Sequence, residues 1–247
     1  MCTLVIAWQV FADTPIAVAA NRDEHLDRPS EPPAKIADDP GVVAPRDSEA
    51  GGTWIGYNEH GVFVAVTNRW VETDLAGDRS RGLLVRDALR HRTAEDAARF
   101  VEREAESHEF EGFNLVVADA NAAILLEWGG QLSVRNFDPG VHVVVNVGAD
   151  GEFFVPSHRP DVSEQQAENA AAVRTALQPE PGERAGVWLE RAADVISDHE
   201  YGVCVHHNSF GTRSSSLLTI GPDGASYRFA PGPPCETVYQ RVEARVE

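Results

Sequence analysis

Cys2-Thr3-Leu4-Val5-Ile6-Ala7-Trp8 and Ile16-Ala17-Val18-Ala19-Ala20-Asn21-Arg22-Asp23-Glu24 decide how the chain is read. Both runs are apolar and rich in β-formers, and residues 13–15 between them carry Asp13 and Pro15, so they predict a hairpin. The second strand is expected to end at the polar block Asn21-Arg22-Asp23-Glu24. A segment with Pro29, Pro32, Pro33, Pro40 and Pro45 follows and reads as an irregular loop. Residues 51–58 and 62–68 form another hairpin around Glu59-His60-Gly61.

Two helices are expected next. Ser80 can cap one through Leu83, Leu84, Ala88 and Leu89, and Thr93 with Asp96 resembles a capping box before a second. Strands resume at 113–119, 122–128, 132–137 and 141–147, then helices at 163–177 and 184–197, then strands at 214–220 and 225–229. The order β-rich, two helices, β-rich, two helices, β is not a βαβα alternation, which disfavours a doubly wound parallel sheet. An α+β fold accounts for every block: two antiparallel sheets with helix pairs on their outer faces, in one domain over residues 1–247.

The chain has 247 residues, 21 basic and 39 acidic, a formal net charge of −18. That excess repels nucleic-acid backbones and anionic lipid, so neither is an expected partner. Lys35 is the only lysine, a balance shared by salt-adapted proteins and by acidic proteins of GC-rich genomes. No apolar run approaches the roughly 18–20 residues that span a bilayer, and no leader is apparent, so a cytoplasmic location is expected. Cys2, Cys204 and Cys235 form no CxxC, and His206-His207 lacks the i, i+4 spacing of helical metal ligands. No disulfide framework, metal site or cofactor is expected from those spacings.

Cys2 is the most informative position. Removal of Met1 would give it a free α-amine beside its thiol, a nucleophile and base on one residue. The amine titrates near about 7.7–8.0 and the thiol near about 8.5. The hairpin brings Arg22 and Asp23 near Cys2, where Arg22 would favour the thiolate and Asp23 would orient the amine. Asn68, ending a strand, is placed either to donate to an oxyanion or to cap the next loop. Asn146 repeats that pattern. Arg213, leading a strand, is either a carboxylate binder or a surface residue.

Met1-Cys2-Thr3, Asn21-Arg22-Asp23-Glu24, Gly52-Thr53-Trp54-Ile55-Gly56, Asn58-Glu59-x-Gly61, Phe113-Asn-Leu-Val-Val-Ala-Asp119 and Gly211-Thr-Arg-Ser-Ser215 together resemble the NRDE family. That family includes the eukaryotic transport and Golgi organization proteins, and the similarity runs from Cys2 to about residue 220. It implies a four-layer αββα sandwich of the N-terminal-nucleophile hydrolase type. A more distant resemblance to choloylglycine hydrolases and penicillin V acylases implies Cys2 as nucleophile, with Asn68 and Asn146 at the oxyanion and Arg22, Asp23 and Arg213 around the sulfur. That group has Arg-x-x-Asp where this chain has Arg22 and Asp23 adjacent, so Asn21 with Glu24 is a competing pair facing the nucleophile. Asn21, Glu24 and Trp54 are the expected substrate contacts. The ligand implied is a small acyl amide, hydrolysed or used for acyl transfer. The alternative is non-catalytic handling of haem or an acyl lipid, with His25, His206, His207 or a Cys as axial ligand.

Overall fold

The computed structural model describes residues 2–246. They fall into two compact units, each described by itself. The first comprises residues 2–28 and 139–242, the second Pro29–Asp138 with the residues from Glu243 onward.

The first unit is an eight-stranded antiparallel sheet built on β1 (Thr3–Phe11) and β2 (Thr14–His25). Its other strands are β10 (Gly140–Val145), β11 (Gly148–Ala149), β12 (Glu152–Phe153), β13 (Phe210–Gly221), β14 (Gly224–Ala230) and β15 (Gln240–Arg241). The order across the sheet is β12-β11-β10-β1-β2-β13-β14-β15, with β1 and β2 at the centre. Residues 3–8 of β1 are buried on both faces of the pleat, which is why they read as a continuous apolar run and not as an alternation. Two helices cover this sheet: α3 (Pro160–Ala176) packs on β10, and α4 (Ala185–Ser197) packs on β2 and β13. Trp188 of α4 is fully buried and donates its indole N–H to the Leu177 carbonyl at 2.9 Å. That bond lets a large aromatic enter the core without an unpaired donor.

The second unit is a seven-stranded sheet in the order β3-β4-β5-β6-β7-β8-β9. Its strands are β3 (Ser30–Asp38), β4 (Gly41–Asp47), β5 (Ile55–Asn58), β6 (Phe63–Asn68), β7 (Phe113–Ala118), β8 (Ala123–Trp128) and β9 (Leu132–Asn136). Two helices, α1 (Arg81–Ala88) and α2 (Ala94–Ser107), close one apolar cluster with Val64, Phe113, Leu115, Val117 and Leu126. Each such side chain fully buried stabilises by roughly 1.5–3 kcal/mol. Both expected caps form: Ser80 accepts from the Gly82 N–H and Thr93 from the Asp96 N–H.

Two expectations are corrected. The proline-rich segment is not a loop but the β3–β4 pair, and the reason is its place in the sheet. β3 is an edge strand whose pairing slips between Glu31 and Ala34, across Pro32 and Pro33, and an edge with an irregular register tolerates prolines that a central strand does not. Likewise, Asn21-Arg22-Asp23-Glu24 does not end β2 but lies inside it, paired with β13 through Ser215, Ser214, Thr212 and Gly211. Those rungs are long-range, so no local pattern announces them.

Motif residues of the second unit hold its own backbone together. Asn58 accepts from the His60 and Val62 N–H groups and donates to the carbonyls of Leu89 and His91, pinning the β5–β6 turn to the end of α1. A Cβ on Gly52 would meet the Gly82 carbonyl carbon at 2.2 Å, so only glycine allows α1 to start against this loop.

Candidate active site around Cys2

Cys2 immediately precedes β1, and register does the positioning. Thr3 stands opposite Asn21 on β2, and Leu4 opposite Val144 on β10. One and two steps back along these antiparallel ladders, Arg22 and Asn146 flank Cys2 on either side. The Cys2 N–H donates to Asn146 Oδ1 at 3.1 Å. The same oxygen accepts from Gln166 Nε2 at 3.0 Å, and Gln166 Oε1 accepts from the Val147 N–H at 3.1 Å. Gln166, buried on α3, thereby fixes which way the Asn146 amide points.

On the β2 side, Cys2 Sγ lies 3.6 Å from the Asp23 carbonyl oxygen. The Asp23 carboxylate is buried and accepts from Thr212 Oγ1 at 2.6 Å. That hydroxyl in turn accepts from the Val205 N–H at 2.9 Å, so its single proton is committed to Asp23. Burial pushes the Asp23 carboxyl above the ordinary aspartate range, against the Thr212 hydrogen bond and the charge of His207. Burial also pushes the Cys2 thiol up; the Asp23 charge adds to this, and the Arg22 guanidinium opposes it. Burial disfavours both charged forms by the same physics.

The competing strand assignments separate here. Arg22 stands opposite Cys2 across the β1–β2 ladder, and the Asp23 backbone carbonyl is 3.6 Å from Sγ. Asn21 turns to the helix side, donating to the carbonyls of Ile196 and Val203 at 2.8 and 2.9 Å and accepting from Ser215 Oγ at 2.7 Å. With both ends of its amide bonded and the residue buried, Asn21 ties β2 to the C-terminus of α4 and presents nothing to a substrate. Glu24 accepts from the His25 N–H and lies 3.7 and 3.8 Å from Arg22 and Arg28.

Arg213 is the extra residue where the β2–β13 register shifts between Thr212 and Ser214. A bulge of this kind re-aims a side chain beside a functional group. Its buried Nε and the buried Oγ of Ser214 have no hydrogen-bond partner among the described residues. Asn68 and Trp54 belong to the second unit: Asn68 is exposed at the end of β6 opposite Phe113, and Trp54 is half-buried ahead of β5. The question of Met1 removal lies outside the described residues.

Gln166 and Thr212 are the residues that sequence reasoning missed. Thr212 lay inside the quoted Gly211-Thr-Arg motif, overshadowed by its charged neighbour. Gln166 sits in a polar helical run, Ser163-Glu-Gln-Gln166, with nothing local to mark it as buried.

Solved structures show where this architecture belongs. The chain matches penicillin V acylase from Agrobacterium tumefaciens (TM-score 0.57, 17% identity, 93% of this chain and 83% of that one). It also matches the Caenorhabditis elegans N-acylethanolamine-hydrolyzing acid amidase ortholog (TM-score 0.59, 15% identity, 90% and 95%). A conjugated bile acid hydrolase variant from Clostridium perfringens matches with a TM-score of 0.56 at 10% identity, over 100% and 98%. The fold is thus the α+β fold of the N-terminal-nucleophile hydrolases, as the sequence resemblance implied. By sequence, the chain is 26% identical to the Homo sapiens Transport and Golgi organization protein 2 homolog and 33% identical to that of Bos taurus. Each match spans 85% of this chain and 83% of the relative. The Transport and Golgi organisation 2 family model matches residues 1–230, and the chain belongs to that family. Among the described residues, no helix is long and apolar enough to cross a membrane.

Proposed function

We propose that the chain is a cysteine N-terminal-nucleophile acyl hydrolase or acyltransferase acting on a small amide. The observation that carries this reading is the 3.1 Å bond from the Cys2 nitrogen to Asn146 Oδ1, with that oxygen held in place by Gln166. A buried side-chain amide aimed at the nitrogen of residue 2 is the holder that a catalytic α-amine needs once Met1 is gone. The fold neighbours whose names describe an amidase, an acylase and a hydrolase support the same class.

The steps follow from the charges. Burial keeps the Cys2 thiol protonated at rest, so the free α-amine takes the Sγ proton as sulfur attacks the carbonyl carbon. Asp23 and Asn146 hold the resulting ammonium, and Arg22 stabilises negative charge at the sulfur. The C–N bond breaks as the ammonium returns the proton to the leaving amine, giving a thioester on Cys2. Water, or a second amine, then attacks the thioester with the α-amine again as base, releasing acid or transferred acyl product.

Intact mass spectrometry and a panel of N-acyl amides test the reading together. The expected result is a mass lacking Met1, with turnover that disappears in Cys2→Ala while Tm changes by no more than about 4 °C, as for a small truncation at a partly buried site. Retained Met1, or turnover that survives Cys2→Ala, overturns it. Haem titration separates the non-catalytic alternative, which requires a Soret shift that His→Ala substitutions remove.

A further inference from the structure

The other two cysteines converge away from Cys2. Cys204 Sγ and Cys235 Sγ are 3.5 Å apart; His206 Nε2 is 3.1 Å from Cys235 Sγ and 3.6 Å from Cys204 Sγ. The imidazole of His199 stands edge-on to that of His206 with ring centroids 5.1 Å apart. One donor atom from each of the four lies within 4.8 Å of all the others. They come from separate places in the first unit: a 3₁₀ turn at His199–Tyr201, the segment entering β13, and a turn after β14. Cys204 is buried, and the other three face solvent.

We propose that His199, Cys204, His206 and Cys235 form a tetrahedral two-thiolate, two-imidazole site for Zn(II). Bond lengths of about 2.3 Å to sulfur and 2.0–2.1 Å to nitrogen give tetrahedral edges of about 3.7–3.8 Å between sulfurs and about 3.5–3.6 Å from sulfur to nitrogen. The sulfur pair at 3.5 Å and the Cys204–His206 edge at 3.6 Å already match these lengths closely; the Cys235–His206 edge is shorter by a few tenths of an ångström. Four protein ligands leave no open position, which makes the site structural. Binding displaces one proton from each thiol to solvent, and the two thiolates neutralise the ion; no electron moves.

What the ion would hold is visible in the hydrogen bonds. The Val203 carbonyl accepts from Asn21, the Val205 N–H donates to Thr212 Oγ1, and Thr212 donates to Asp23. A Cβ on Gly211 would meet the Val205 carbonyl at 2.6 Å, so glycine lets this segment lie directly against β13. Two of the ligands, Cys204 and His206, alternate with residues that bond β2 and β13. The metal would clamp the segment from Val203 to His206 that lies against β13 behind Asp23, although the site rests on its own geometry and not on the acyl-transfer reading.

Cobalt titration of the reduced, full-length chain tests this directly. The expected result is one Co(II) per chain with intense tetrahedral visible bands and a thiolate charge-transfer band, displaced by one equivalent of Zn(II). Cys235→Ser should weaken Zn(II) binding by about 100-fold or more, beyond what loss of an outer-sphere partner costs. Cys2→Ala serves as control and should leave the cobalt spectrum unchanged. A reduced protein that binds no cobalt, an octahedral spectrum, or a charge-transfer band that survives both Cys204→Ser and Cys235→Ser overturns the proposal. So does a Cys204–Cys235 disulfide that persists under thiol reductant. The titration of the unsubstituted chain decides even where a variant does not fold.

Discussion

Asp23, buried within β2, and Asp150, only partly buried, are aspartates of the same unit whose surroundings push them in opposite directions. Asp150, in the turn after β11, lies with Oδ2 2.6 Å from His142 Nδ1, accepts from the Val143 N–H at 3.1 Å, and has Arg174 Nε at 3.6 Å. Burial alone would raise its pKa, but the His142 contact and charge, the Val143 bond and Arg174 outweigh it and hold it below the usual range. Asp23 has the Thr212 hydroxyl at 2.6 Å, yet burial prevails and its pKa is raised. One carboxylate is ringed by the His142 ring nitrogen, the Val143 N–H and the Arg174 guanidinium, as a structural group should be. The other is kept where the fold alone would not choose an acid, and such groups cluster at functional sites.

Linkage gives the two residues opposite signatures. A raised folded-state pKa means that the stability Asp23 contributes is fully present below the ordinary aspartate pKa of about 4 and is lost as pH rises from there through the raised value. The protein is therefore less stable at neutral pH than the same fold with an unperturbed aspartate there. Asp150, with a depressed pKa, contributes stability above about pH 4 that is lost as pH falls through its lowered value.

The largest expected effect that would break this contrast is on activity. Asp23→Asn should reduce amide turnover by about 10²-fold or more, the usual scale for a displaced proton-transfer partner, while Tm at pH 7 stays level or rises. A fall in Tm would place Asp23 with Asp150 as a structural acid. Asp150→Asn should do the reverse, lowering stability at pH 7 by about 1.5–3 kcal/mol in urea unfolding, with the gap to the unsubstituted protein closing as pH drops below about 4. Gln166→Leu sharpens the site side of the comparison: leaving the Val147 N–H unpaired costs about 1–2 kcal/mol, and the freed Asn146 should reduce turnover by about tenfold (about 1.4 kcal/mol at the transition state). Arg99→Ala, which removes exposed pairs with Glu95 and Asp96 on α2, should shift stability by less than about 0.5 kcal/mol.

How much of this was readable beforehand follows from the range of the interactions. The β1–β2 hairpin, the helix pairs and the caps at Ser80 and Thr93 rest on contacts a few residues apart, and the pattern showed them. The strand nature of residues 30–47 depends on pairing with β5 and on an edge position, which no local pattern contains. Asn146 stood out as an amide ending a strand, but its partner Gln166 is 20 residues away on a helix. Thr212 reaches Asp23 across 189 residues. The His199, Cys204, His206 and Cys235 cluster escaped the spacing templates for metals because its ligands come from three separate turns and strand ends.

The resting condition of the Cys2 sulfur has one more consequence. Peroxides and other oxidants attack thiolates, not thiols, and burial beside a carboxylate holds this sulfur in its thiol form. The residue assigned the hardest chemistry should therefore reach sulfenic acid more slowly than the exposed Cys235. The solvent-facing Cys235 would take the first oxidative damage wherever it is left bare.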